Sequence, residues 1–286
     1  MKVYGGLSRS SFEAIVDEAH RQQLLVVGHV VPSVGILDGV AHSQTAVEHA
    51  ADLLLPVSGK EEQFRRSRGE GRPVRATEVV RTFSEKKAKR LAQHFRDHKV
   101  RLVPTLALVA KTLETAATGP AAVNAASLRF VPPAYVREWR SAKPLLLEDA
   151  EAQVQGAMRI VKHMIDARVD ILAGTDVVKS FFVPGQSLHD ELTLLVNVGL
   201  TPVQALRAAT IAPANYLRIQ DSGTVSSGQR ADLVLLTANP LQDINNTRRI
   251  AGVMADGTFC PRQAVEDMLR HIERAAASWK GTPTGQ

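Results

Sequence analysis

The stretch Leu24-Leu25-Val26-Val27-Gly28-His29 decides how the chain is read, because an apolar run this short, stopped by glycine and histidine, predicts a buried strand over 24–30 with a polar group at its C-terminal end. Upstream of it, Ser10 and Glu13 have capping-box spacing, and Phe12, Ile15, Val16 and Ala19 recur at helical intervals, which predicts an amphipathic helix over 10–22. Downstream, a short helical stretch leads to Thr45-Ala46-Val47-Glu48-His49, a second run ending on histidine, and residues 53–56 close that unit. Thr82 and Glu85 predict another cap, with Ala88, Leu91, Ala92 and Phe95 on one helical face before a strand over 100–108. A helix over 148–167 then precedes a strand over 169–173 and the sequence Gly174-Thr175-Asp176. Strands alternating with helices imply parallel βαβ units, whose chemistry sits at the C-terminal strand ends.

Two stretches interrupt this alternation and are expected to be insertions. Residues 57–80 form one; 110–147, broken by Pro120, Pro132, Pro133 and Pro144, form the other and resemble a lid. Thr201-Pro202-Val203-Gln204 predicts a helix start and Pro213 its stop. Beyond it, short strands at 223–225, 231–236 and 250–254, with a hairpin turn at Asp256-Gly257, predict part of a small β domain over 220–262. A terminal helix at about 263–278 and a tail fill 263–286.

Composition narrows the classes. At 286 residues, 44% hydrophobic and 22% charged, the chain can bury a sizeable core. Its apolar runs are too short for a membrane-spanning helix, and the compartment is left open, cytoplasmic by default. Cys260 is the only cysteine, so a thiolate zinc site and an internal disulfide are both excluded. Between Lys60 and Arg90 eleven basic residues face five glutamates, which accounts for the whole formal charge of +6. No aromatic ladder accompanies this excess, so it reads as a solvated surface, with no nucleic-acid partner expected.

Lys2, His29, His49 and Asp176 are the candidate metal residues, because imidazole and carboxylate groups converging from several strand ends suit Zn²⁺ or a similar divalent ion. Each alone more often packs as an ordinary core or surface residue; their joint order carries the signal. That order resembles the metal-dependent amidohydrolase superfamily, in particular its imidazolonepropionase-like and Xaa-Pro dipeptidase (prolidase)-like branch. So do Val47-Glu48-His49, Ala173-Gly174-Thr175-Asp176, Leu188-His189-Asp190-Glu191-Leu192 and the stretch from Gly199 to Thr210.

The resemblance implies an α/β fold: the C-terminal part, about strands four to eight, of a TIM-like (β/α)8 barrel over 1–219. It implies one or two divalent ions, with Lys2 carbamylated, His29 and His49 as ligands, and Asp176 as carboxylate ligand and proton acceptor. The implied reaction is attack of a metal-activated hydroxide on a cyclic amide or peptide-like amide. His189 is a candidate substrate contact, as are Arg137 and Arg140, which suit a carboxylate. The family's His-x-His pair occurs nowhere in this sequence, so an N-terminally truncated domain is expected. An inactive fragment, or one that acts only with a missing segment or as a homo-oligomer, is the alternative.

Overall fold

The computed structural model describes residues 1–123, 126–177 and 179–281. They divide into two compact units, Met1–Val109 with Leu147–Gly174, and Ala110–Leu146 with Thr175–Gln286.

The first unit is built on a parallel sheet whose strands lie side by side in chain order: β1 (Lys2–Val3), β2 (Val26–Gly28), β3 (Gln44–Glu48) and β4 (Arg101–Val103). Parallel neighbours need crossover connections, and the sequence supplies them as helices. Arg9–Arg21 buries Phe12, Val16 and Ala19 against Val3, Val26, Val31 and Val34. Glu85–Asp97 buries Ala88, Leu91, Ala92 and Phe95, the face its spacing predicts. Leu147–Asp166 matches the helix predicted over 148–167. Its Gly156 permits close approach, since a β-carbon there would lie 2.5 Å from Leu54 Cδ2.

Several expectations are corrected. The first helix is capped by Ser8, whose Oγ accepts from Ser11 N at 3.1 Å. Ser10 already lies within the helix, and Glu13 is drawn to Arg9. Likewise Ser84, not Thr82, caps Glu85–Asp97, because Thr82 Oγ1 is used on Val79 O at the end of the preceding helix. The strand predicted over 100–108 stops at Val103. Pro104 follows, Thr105 has φ 50°, and Leu106–Thr118 is helical. A short apolar run does not distinguish strand from buried helix. The strand predicted over 169–173 is reduced to one parallel bridge, Ile171 to Leu102. Within 57–80 the chain forms helices Glu61–Gly69 and Ala76–Arg81, anchored by Phe64 and Val79.

The basic surplus of this region is extensively ion-paired. Arg65 binds Glu61, Lys87 binds Glu61, and Arg75 binds both Glu148 and Asp149.

The second unit contains an antiparallel sheet of β5 (Leu233–Leu236), β6 (Ile250–Ala255) and β7 (Thr258–Pro261). Its predicted hairpin turn is formed by Asp256 and Gly257, with φ 47° and 76°. Helix Arg262–Ser278 follows. Thr201 and Gln204 form the cap of Pro202–Ala208. Pro213 does not act as a stop, since it lies in the first turn of Ile211–Tyr216, where its missing N–H costs little. Residues 223–225 form no strand, and Val225 is exposed. Val123, Leu128, Trp139, Phe181 and Val183 make a core cluster. Among the described residues, no helix is long and apolar enough to cross a membrane.

Candidate metal centre

Because β2 and β3 are parallel neighbours, the groups at their C-terminal ends meet. His29 follows Gly28 at the end of β2, Glu48 is the last residue of β3, and His49 follows it. The two imidazole centroids are 4.4 Å apart. A ring nitrogen of His29, a carboxylate oxygen of Glu48 and a ring nitrogen of His49 all lie within 4.8 Å of one another.

Backbone conformation makes this convergence possible. Successive residues of a regular strand point to opposite faces, which would separate Glu48 from His49. His49 instead has φ 65°, just past the strand, and the alternation ends there. Gly28 also has a special conformation, φ +129°, and an added β-carbon would lie 2.2 Å from Val3 O. Gln44, 2% exposed, donates from Nε2 to the carbonyl oxygens of Gly28 at 2.9 Å and His29 at 3.0 Å. That amide fixes the turn from which His29 projects.

Both imidazoles are held from behind. His29 Nδ1 lies 3.0 Å from Asp52 Oδ2; a carboxylate accepts, so Nδ1 carries the proton. His49 Nδ1 is 2.9 Å from Thr105 Oγ1, a pair buried in the interior. The Asp52 carboxylate selects the His29 tautomer whose Nε2 is the metal-binding nitrogen, and the Thr105 hydroxyl orients the His49 ring. His49 Nε2 is 3.9 Å from Glu48 Oε2, within the span of two ligands each about 2.0–2.2 Å from one ion. Two imidazoles and a carboxylate are a donor set that suits Zn²⁺ and similar ions, so the residues present fit a divalent metal. Lys2 reaches the same place: its Nζ is 2.7 Å from Glu48 Oε2.

A cavity of about 580 Å³ adjoins His29 and Asp52, with Tyr4, Arg65, Arg68 and Gln153 among its polar walls. Its size is that of a small-molecule site.

The other candidates belong to the second unit. Asp176 has φ 51° and its Oδ2 lies 3.9 Å from Lys179 Nζ. His189 Nδ1 is 2.9 Å from Thr247 Oγ1. Burial pushes the His189 pKa down and Arg248 adds to this, with Asp190 opposing. Arg137 and Arg140 are exposed on helix Pro133–Ser141, whose Trp139 packs edge-on against Phe181.

The structure thus brings Lys2, His29 and His49 together and adds Glu48, Asp52, Thr105 and Gln44. Val47-Glu48-His49 carries part of the family resemblance, but nothing in the sequence marks Glu48 itself as a ligand. The other three carry no local signal, since their partners are 15 to 56 residues away.

Residues 5–260 match the amidohydrolase family. An imidazolonepropionase of Deinococcus deserti is 35% identical over 91 residues, 30% of this chain and 22% of that enzyme. An adenine deaminase of Ligilactobacillus salivarius is 29% identical over 91 residues, 32% of this chain and 16% of that protein. Among solved structures, a bottromycin amidohydrolase aligns with TM-score 0.66 at 27% identity, covering 96% of this chain and 58% of that one. A Xaa-Pro dipeptidase aligns with TM-score 0.58 at 17% identity, covering 89% and 49%; at that identity the likeness concerns the fold alone. The chain therefore spans about half the length of these solved structures. Since the family match runs from residue 5 to residue 260 and so enters both compact units, this chain belongs to the amidohydrolase family.

Proposed function

We propose that the chain is the metal-binding portion of an amidohydrolase that cleaves a carbon–nitrogen bond in a cyclic or peptide-like amide. The observation that carries this reading is the pair His29 and His49 at adjacent parallel strand ends, each with Nδ1 held by a polar partner. The in-order sheet β1 to β4, extended by the Ile171 bridge, supports its assignment to strands four to eight of a (β/α)8 barrel. The antiparallel sheet β5–β7 is then part of the small β domain. The relative named imidazolonepropionase supports the cyclic-amide class.

In this reading His29 and His49 hold the ion, most suitably Zn²⁺. The ion supplies Lewis-acid polarisation of the amide carbonyl and a lowered water pKa. Asp52 keeps the His29 imidazole in the required tautomer, and Thr105 orients the imidazole of His49. Asp176 accepts the proton of the attacking water and returns it to the leaving amine. The 580 Å³ cavity beside His29 receives the amide, and His189, Arg137 and Arg140 are the further substrate contacts to test.

Zinc-loaded protein assayed against cyclic amides and Xaa-Pro dipeptides is expected to release amine, and to lose that activity on chelation and in Asp176→Asn. Chelator-insensitive hydrolysis, or full activity in Asp176→Asn, would remove the assignment. A second reading, that the chain works only in association with another polypeptide or a second copy, is favoured by Val234, Leu235 and Phe259, which are 57%, 56% and 49% exposed on the β5–β7 sheet. Light scattering showing a stable monomer with hydrolytic activity would dismiss it.

A further inference from the structure

The side chain at the centre of the candidate metal centre is Glu48, which no sequence motif singled out as a ligand. Its side chain is 19% exposed, and one oxygen faces both Lys2 Nζ at 2.7 Å and His49 Nε2 at 3.9 Å. The third member of the cluster, His29, lies within the same 4.8 Å limit. A carboxylate brought this close to two imidazoles either holds a cation with them or is neutralised by another positive group. Lys2 provides that second option, so the ion pair keeps the carboxylate in place while no metal is bound.

We infer that Glu48, rather than a lysine-derived ligand, is the anionic protein ligand of a mononuclear divalent-metal site completed by His29 and His49. Lys2 is then a positioning residue that surrenders Glu48 when the ion enters. The ligands need only a small contraction: oxygen and nitrogen donors about 2.0–2.2 Å from one ion lie at most about 4.4 Å apart, and the Glu48–His49 separation is already inside that limit. Three protein ligands leave a coordination position open, the arrangement of catalytic rather than structural sites. This inference rests on the metal-dependent reading above and deepens it.

Cobalt(II) is the probe, because its visible absorption reports ligand set and geometry without any turnover. Titration of the wild-type chain is expected to give one intense set of bands at about one ion per chain. Glu48→Gln, nearly isosteric, is expected to weaken binding by more than about tenfold and to alter the bands. Lys2→Ala is expected to bind cobalt at least as tightly as wild type. Wild-type protein loaded in ¹³C-bicarbonate is expected to show no lysine carbamate carbon by NMR, a readout that does not depend on any variant folding.

Unchanged cobalt affinity and spectrum in Glu48→Gln, loss of binding in Lys2→Ala, or a metal-dependent carbamate signal would each overturn the inference while leaving the metal-dependent reading intact. Cobalt binding that is absent in wild type, or unaffected by His29→Ala and His49→Ala, would overturn both.

Discussion

His49 and Thr105 are locked together: Nδ1 of the one lies 2.9 Å from Oγ1 of the other, and each has a positive φ, 65° and 50°. Non-glycine residues rarely adopt such conformations, each costing about 1–3 kcal/mol unless the surroundings enforce it. Here one follows the end of β3 and the other shortly follows β4, and β3 and β4 are neighbours in the sheet. The hydrogen bond links two unfavourable backbone conformations to the orientation of one imidazole.

Thr105→Val keeps the shape of the side chain and removes only the hydroxyl. Metal affinity is expected to fall about 10- to 100-fold, the cost of losing an orienting partner behind a ligand histidine. Competition against a chromophoric chelator measures it. Asp52→Ala, which frees His29 Nδ1, is expected to act in the same direction and by a similar factor.

Gly28→Ala is expected to destabilise the first unit severely. The backbone conformation alone accounts for about 1–3 kcal/mol, and the β-carbon would also strike Val3 O, pushing β1 off β2. Urea denaturation should show a large drop in midpoint; an unchanged midpoint would mean that β1 is not held as described.

Replacing Gln44 with leucine removes both donors to the Gly28 and His29 carbonyls at a position 2% exposed. A loss of about 1–3 kcal/mol is expected, with metal affinity reduced in addition because His29 loses its fixed turn. Chemical denaturation combined with metal titration separates the two effects.

His189 gives a pH dependence of defined sign. Burial and Arg248 lower its pKa in the folded chain relative to the ordinary histidine value of 6.5. The unfolded chain therefore takes up more protons, so the stability associated with neutral His189 is present above pH 6.5 and is lost as pH falls below it through the folded pKa. His189→Gln is expected to flatten the melting-temperature profile between pH 7 and 5, on the order of the range where histidine titrates. An equally steep profile in the variant would assign the effect elsewhere.

Most of the parallel sheet and its helices could be read from periodicity, because burial against a common core imposes a period on the sequence: Phe12, Val16 and Ala19 in one helix, Leu91, Ala92 and Phe95 in another. The observed caps lie two residues from the expected ones where two hydroxyls compete, Ser8 against Ser10 and Ser84 against Thr82, since the choice depends on which backbone N–H each reaches. His29 and His49 could be read because strand ends are visible as apolar runs that stop. Glu48 could not, since strand alternation places it on the opposite face from His49, and only the positive φ of His49 brings them together. Asp52 and Thr105 arrive through tertiary structure, which leaves no trace in local pattern.

The central claim is that this chain holds a divalent metal through His29 and His49. Inductively coupled plasma mass spectrometry on freshly purified protein, with His29→Ala and His49→Ala alongside and folding verified by circular dichroism, tests it most directly. About one divalent ion per wild-type chain, lost in both folded variants, is the predicted result. Negligible metal in a folded wild-type chain, or the same metal content in the variants, would contradict it.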